Sequence, residues 1–143
     1  MITLAVSNQK GGVGKTTTCI NLAAELGRLG FSVLSVDIDP QANCTSGLGV
    51  ALPPKSPSLY NVLLGDVPAG AAILKTKWKG VSILPATLDL AGAEIELSST
   101  ISRETKLRRV VSSITGFDIA ILDCPPSLGM LTVNALVAAD KLI

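Results

Sequence analysis

The sequence predicts an α/β fold in which a mainly parallel, doubly wound sheet carries helices on both of its faces. Short runs of branched apolar residues alternate with segments that have helical spacing of apolar residues. Hydrophobic residues make up 48% of the 143 residues, whereas charged residues make up only 16%. A low charged fraction favours strands that are buried on both faces, as they are in parallel sheets with helical crossovers. Such crossovers are right-handed and place helices on both sides of the sheet.

Four apolar runs are predicted to be buried strands. Each is rich in branched side chains and is followed at once by polar or turn residues. The four runs are Ile2–Val6, Val33–Val36, Val81–Leu84 and Ile119–Leu122. Lys141–Ile143 resembles the opening of a fifth strand, and the sequence stops there. We therefore expect an incomplete domain.

Helical spacing of apolar residues predicts helices between these strands. The predicted helices are Thr16–Arg28, Leu59–Leu64, Ala69–Leu74, Ser102–Ile114 and Gly129–Ala139. Gly30 is placed to end the first helix in the left-handed conformation. Gly47–Pro57 holds three prolines and two glycines, and it is predicted to be a loop within the domain.

The composition excludes several classes of function. The chain has no histidine, which excludes histidine acid–base chemistry and histidine metal ligation. Cys19, Cys44 and Cys124 form no CxxC pair, which disfavours a zinc or iron–sulfur site built within one chain. The net charge of +1 provides no global attraction to nucleic acid or anionic lipid. Because no run of about 18 apolar residues exists, we expect no transmembrane segment and a cytoplasmic location.

A glycine-rich loop follows the first predicted strand and opens the first predicted helix. It runs Lys10-Gly11-Gly12-Val13-Gly14-Lys15-Thr16-Thr17. Glycines let consecutive backbone N–H groups surround an anion, and the helix N-terminus adds unpaired donors. Lys15 is placed to reach the β- and γ-phosphates of a nucleotide, and the Thr16 hydroxyl to ligate Mg²⁺. We predict that these eight residues bind a nucleotide; an ordinary glycine-rich turn is the alternative.

Three aspartates follow predicted strands. Asp37 and Asp39 come after the second strand, and Asp123 closes the strand at Ile119–Leu122. Ligands of open α/β sheets bind at the carboxyl ends of the strands, so these carboxylates are expected near the phosphates. Asp123 is predicted to hold a water bound to Mg²⁺, and Asp37 to support the loop and the metal waters. Capping of a strand end is the alternative for Asp37 and for Asp39.

Three segments of the chain resemble the ParA/Soj partition ATPases. They are Asn8–Thr18, Asp37–Asn43 and Asp123–Gly129. Gln9 stands where the common phosphate-loop pattern has its first glycine, and the additional cation Lys10 is typical of the deviant Walker A motif. The resemblance implies a P-loop NTPase fold with ATP and Mg²⁺ as cofactors. It also implies that Lys10 reaches the phosphates of a second subunit and that Lys10, Lys15 and Asp39 are catalytic.

The resemblance further implies a biological role. Members act as ATP-dependent homodimeric switches with slow hydrolysis in chromosome or plasmid partition, with a ParB-type partner and non-specific DNA. The DNA contacts lie mainly in parts of the family absent from these 143 residues, and nucleoid association is implied. We expect residues 1–143 to form one incomplete P-loop ATPase domain with poor hydrolysis by itself. A MinD-like or other cargo-positioning ATPase and a hydrolysis-silent nucleotide-binding module are the alternatives.

Two basic segments remain outside these motifs. One combines Lys75, Lys77 and Lys79 with Trp78, and the other is a face of the Ser102–Ile114 helix that carries Arg103, Lys106, Arg108 and Arg109. Each is interpreted either as a patch that contacts phosphates or as an ordinary solvated surface. Cys44 and Cys124 are interpreted as small packing residues.

Overall fold

The computed structural model describes residues 1–143 and contains one six-stranded sheet. The strands are β1 (Ile2–Val6), β2 (Val33–Asp37), β3 (Leu74–Lys75), β4 (Val81–Leu84), β5 (Ile119–Asp123) and β6 (Lys141–Leu142). Their order across the sheet is β3-β4-β2-β5-β1-β6. All neighbouring strands are parallel except β3 and β4, which are antiparallel. The predicted mainly parallel, doubly wound sheet is confirmed.

Helices connect the strands. They are α1 (Lys15–Arg28), α2 (Asn43–Gly47), α3 (Leu59–Leu64), α4 (Ala69–Ala72), α5 (Leu90–Ser98), α6 (Lys106–Ser113) and α7 (Met130–Ala138). A single 3₁₀ turn at Arg103–Thr105 precedes α6. None of these helices has the length and apolar character that crossing a membrane requires.

Five elements differ from the prediction, and one of them is the unpredicted strand β3. The helices α2 and α5 were not predicted: α2 is a single short turn, and α5 exposes Ile95, so neither has one clear apolar stripe. The predicted helix Ala69–Leu74 ends at Ala72, because Ile73 is extended and leads into β3. The helix predicted from Ser102 begins at Lys106 instead, since Ser102 is left-handed with φ 56° and a 3₁₀ turn follows it.

The sheet buries a hydrophobic cluster on each face. In β5, Ala120 and Leu122 pack in the cluster covered by α3, α5, α6 and α7, whereas Ile121 packs in the cluster covered by α1 and α2. This alternation is the two-residue period of a strand. Because both faces are covered, β2 is buried along its whole length. The prediction of helices on both faces is confirmed.

The sheet register brings three connections to one edge. Val6, Asp37 and Asp123 are aligned across β1, β2 and β5 at the carboxyl ends of these strands. The chain leaves these positions in the glycine-rich loop, in the segment toward α2 and in the segment toward α7. Distant parts of the sequence therefore meet at the amino end of α1.

Candidate functional site

A polar cleft of about 450 Å³ lies beside the amino end of α1. No hydrophobic residue lines it; its walls are Gly11, Gly12, Gly14, Lys15, Thr16, Thr17, Asp39, Asn43 and Pro126. Six of the eight loop residues predicted to bind a nucleotide thus line the cleft. The other two, Lys10 and Val13, are exposed on the same loop. Asp39 and Pro126, which follow the carboxyl ends of β2 and β5, lie beside the loop because those strand ends are aligned in the sheet.

Glycine suits different positions of the loop for two different reasons. Gly12 and Gly14 have φ values of 71° and 94°, a left-handed conformation that residues with a Cβ rarely adopt. Gly11 does not have a positive φ, and a Cβ built on it would meet no atom within 4 Å. Neither backbone strain nor internal packing therefore requires a glycine at position 11. Open space beside a backbone that lines the cleft fits a ligand that approaches the main chain.

The amino end of α1 is an uncapped anion site. Gly14 is the N-cap residue, no side chain caps the helix, and its first turn holds no acidic residue. The first N–H groups of a helix have no partner within the helix and carry partial positive charge. Lys15 adds a full positive charge there, and its ammonium donates a hydrogen bond to the carbonyl of Lys10 at 3.2 Å. The loop thus concentrates donors and positive charge at the end of α1, where the first turn of the helix holds no acidic residue.

Asp123 is fully buried beneath the loop. Its Oδ1 accepts a hydrogen bond from the thiol of Cys19 at 3.4 Å, whereas Oδ2 has no partner. Burial raises the pKa of Asp123, and the nearby Thr16 hydroxyl and the Cys19 thiol partly oppose this change. A buried carboxylate oxygen without a donor is costly in free energy. The unpaired Oδ2 and the nearby Thr16 hydroxyl are oxygen ligands that fit a hydrated divalent cation.

Asp37 holds the neighbouring segment in place. Its Oδ2 accepts hydrogen bonds from the N–H and hydroxyl of Thr45 at 2.8 and 2.7 Å, and Oδ1 accepts from the N–H of Asp39 at 3.2 Å. Burial is the main cause that raises the pKa of Asp37 to about 6. Both oxygens thus contact protein donors, and Asp37 does not line the cleft. Its support of the loop is visible here, whereas its water-mediated contact with Mg²⁺ stays a prediction.

Asp39 is presented to the cleft by a tight turn. Its Oδ1 accepts a hydrogen bond from the N–H of Gln41 at 2.9 Å, and its carbonyl accepts one from Ala42 at 2.9 Å. Ala42 is left-handed with φ 54°, which costs about 1 kcal/mol for a residue with a Cβ. This turn starts α2 and brings Asn43 to the wall of the cleft.

Two contacts that hold residues of the predicted motifs in place were missed at the sequence level. Cys19 was considered as a cysteine without a CxxC partner and not as a donor to Asp123, although its position four residues after Lys15 places both on one side of α1. Glu94 of α5 accepts a hydrogen bond from the N–H of Leu131 at 3.3 Å, and it packs so closely against Gly129 that a Cβ there would clash. No motif marks Glu94, because this contact depends on how α5 packs. Cys44 and Cys124 are buried, in agreement with their interpretation as packing residues.

A protein-family model described as an AAA domain, AAA_31, matches residues 1–143. The chain belongs to the AAA_31 family. This AAA_31 domain is 50% identical to the sporulation initiation inhibitor protein Soj of Bacillus subtilis, over 98% of the chain and 56% of that protein. It is 48% identical to the chromosome partitioning protein ParA of Caulobacter vibrioides, over 96% of the chain and 52% of that protein.

A solved structure has the same fold as this chain. The cobyrinic acid a,c-diamide synthase of Mycobacterium smegmatis, with bound ATP analog and magnesium, superposes on the AAA_31 domain with a TM-score of 0.94. The two are 49% identical, and the match covers 99% of this chain and 58% of that one. The AAA_31 domain thus spans about half the length of the curated relatives it matches. The predicted P-loop NTPase fold and the resemblance to ParA/Soj proteins are confirmed.

Proposed function

We propose that residues 1–143 form an ATPase domain that binds ATP and Mg²⁺ in the cleft and acts as a slow, ATP-dependent dimerisation switch. One observation carries the proposal: the uncapped end of α1 and Lys15 surround a cleft above the unpaired, buried Oδ2 of Asp123. That pairing of an anion site with a carboxylate fits a phosphate chain with its metal. The solved relative with an ATP analog and magnesium supports the same ligand.

Each residue of the cleft has a defined role in this proposal. The backbone of Gly11–Thr17 binds the phosphates, and the ammonium of Lys15 exchanges the carbonyl of Lys10 for phosphate oxygens. Thr16 and Asp123 would hold the metal, the first through its hydroxyl and the second through a water. When bound, Mg²⁺ neutralises charge that develops on the phosphate oxygens. Lys10 extends from the exposed side of the loop toward the phosphates of a second subunit.

Asp39 orients the attacking water in this proposal, because its carboxylate is the acid that lines the cleft. Asp39→Asn is therefore expected to slow phosphate release about a hundredfold, while the affinity for ATP and Mg²⁺ changes by less than about threefold. Single-turnover phosphate release with protein in excess over ATP measures this directly. Asp66→Asn, which changes an exposed carboxylate outside the cleft, is the matched control. Hydrolysis by Asp39→Asn at the rate of the control would remove the proposed role.

Cys19 is expected to orient Asp123 for the metal, because its thiol occupies Oδ1 and leaves Oδ2 free. Cys19→Ala should reduce the gain in nucleotide affinity on Mg²⁺ addition by about tenfold, the value of one hydrogen bond to a charged group. Nucleotide affinity in EDTA should stay at the wild-type value. Cys19→Ser keeps a donor and should recover most of the gain. Equal magnesium dependence in the alanine and serine variants would contradict this role.

We further propose that the complete protein works in chromosome or plasmid partition. Its partners would then be a ParB-type centromere-binding protein and non-specific DNA, with the protein in the cytoplasm at the nucleoid. The similarity to the partition proteins Soj and ParA supports this assignment. The similar identity to a cobyrinic acid a,c-diamide synthase supports the ATP site but not the partition role. The ATP site and the partition role are therefore tested by separate experiments.

A further inference from the structure

The turn between β3 and β4 presents an exposed tryptophan among lysines. We define the basic hairpin as Lys75–Gly80, which contains Lys75, Lys77, Lys79 and Trp78. Trp78 is the only tryptophan of the chain, and it is 41% exposed. Residues 67–88 contain no acidic side chain. The hairpin is thus a local concentration of positive charge in a chain whose net charge is only +1.

The backbone of the basic hairpin is held rigidly. The N–H of Thr76 donates a hydrogen bond to the carbonyl of Val81 at 3.2 Å. The N–H of Val81 donates one to the carbonyl of Trp78 at 3.2 Å. The Thr76 hydroxyl donates a hydrogen bond to the carbonyl of Val81 at 2.9 Å and accepts one from the N–H of Trp78 at 3.1 Å. Gly80, left-handed at φ 74°, packs against Gly27 of α1. The partly exposed indole therefore belongs to a turn that these hydrogen bonds hold together.

Trp78 lies between two grooves that each contain a lysine. A groove of about 480 Å³ is lined by Trp78, Lys79 and residues of α1 that include the ion-paired Glu25 and Arg28. A second groove of about 310 Å³ is lined by Trp78, Lys75 and residues that include the start of β4. The ammonium of Lys77 is 5.6 Å from the centre of the indole ring. The one salt bridge of the chain joins Arg28 to Glu25, so none of the three hairpin lysines has a carboxylate partner.

We propose that the basic hairpin binds single-stranded nucleic acid. An unpaired base stacks on the indole of Trp78, while Lys75 and Lys79 contact the phosphates on either side of it. Single strands are favoured over duplexes because only unpaired bases expose a face for stacking. An acidic peptide would satisfy the lysines but would leave the indole without a stacking partner.

This site is separate from the nucleotide cleft. The hairpin packs against Gly27 near the carboxyl end of α1, whereas the cleft lies at its amino end. A helix of 14 residues is about 21 Å long, so the basic hairpin and the cleft are distinct sites at opposite ends of α1. The inference therefore does not rest on the proposed ATPase function.

The test uses the fluorescence of the single tryptophan and a 15-nucleotide oligothymidylate. We expect saturable quenching of Trp78 by the oligonucleotide at low salt. With a fluorescein-labelled strand, anisotropy should show binding by Trp78→Ala that is about 5- to 150-fold weaker, whereas Trp78→Phe retains most of the affinity. Replacement of all three hairpin lysines by glutamine should weaken binding further and reduce the slope of log affinity against log salt by about two.

A second triple variant controls for the loss of three positive charges at a different surface of the chain. Arg103, Arg108 and Arg109 are exposed on and before α6, and their replacement by glutamine removes the same charge. This variant should bind the oligonucleotide within about twofold of wild type. Equal losses in the two triple variants would overturn the proposal, as would unchanged affinity in Trp78→Ala. Binding of poly-glutamate or of a 15-base-pair duplex as tight as that of the single strand would also overturn it. Circular dichroism confirms folding of each variant.

Discussion

Lys15→Ala is expected to weaken ATP binding by a hundredfold or more. Lys15 lines the cleft, and its ammonium is held by only one carbonyl, that of Lys10 at 3.2 Å. In the proposed complex it exchanges this neutral partner for charged phosphate oxygens. Loss of two charge-assisted hydrogen bonds is worth on the order of 3 kcal/mol, which corresponds to more than a hundredfold in affinity. Titration with a fluorescent ATP analogue, in the presence of Mg²⁺, measures the change.

A lysine outside the cleft provides the matched comparison. Lys55 is exposed in the loop that follows α2, so Lys55→Ala removes the same charge without touching the cleft. We expect this control to bind the analogue as wild type does, and both variants to unfold at the same temperature within a few degrees. If Lys15→Ala retained wild-type affinity, the phosphates would not be bound by this loop.

Lys10→Ala is expected to have the second largest effect, which is on dimerisation and not on ATP binding. The backbone N–H of Lys10 donates to Asn8 at 3.0 Å, whereas its exposed side chain makes no hydrogen bond or salt bridge in the structure. An ammonium without an internal partner is available to a second subunit. The variant should bind ATP within about threefold of wild type yet lose ATP-dependent dimerisation, with a dimer dissociation constant raised by about a hundredfold.

Light scattering with ATP and with ADP measures whether the Lys10 variant has lost ATP-dependent dimerisation. Wild-type protein with ATP and Mg²⁺ should reach twice the monomer mass, and with ADP it should remain monomeric. Lys10→Ala should remain monomeric with either nucleotide, whereas Lys10→Arg, which keeps the charge, should dimerise partly. Equal ATP-dependent dimerisation of wild type and Lys10→Ala would place Lys10 among ordinary surface lysines.

The site was predictable where chemistry depends on local spacing. Glycines, a lysine and a hydroxyl at fixed positions between a strand and a helix define the loop that lines the cleft. Asp39 and Asp123 were predicted because both follow strand ends, and the parallel sheet brings those ends together. The four longer strands were predicted for a related reason, since burial on both faces requires uninterrupted apolar runs.

The missed features depend on contacts between segments that are distant in sequence. Cys19 and Asp123 are 104 residues apart, and only the packing of α1 on β5 shows that the thiol donates to that carboxylate. Glu94 reaches the start of α7 because α5 packs beside it, which no periodicity in α5 indicates. The two-residue strand β3 was missed because antiparallel pairing with β4, rather than its own sequence, defines it.

Isothermal titration calorimetry of wild-type protein with ATP, in Mg²⁺ and then in EDTA, tests the central claim most directly. The claim is that the cleft at the amino end of α1 holds a nucleotide triphosphate together with a metal above Asp123. We predict saturable binding of one ATP per chain that is at least tenfold tighter with Mg²⁺ than with EDTA, and an Asp123→Asn variant that loses this difference. Absence of any heat of binding by the folded protein, or an affinity indifferent to Mg²⁺, would contradict the account.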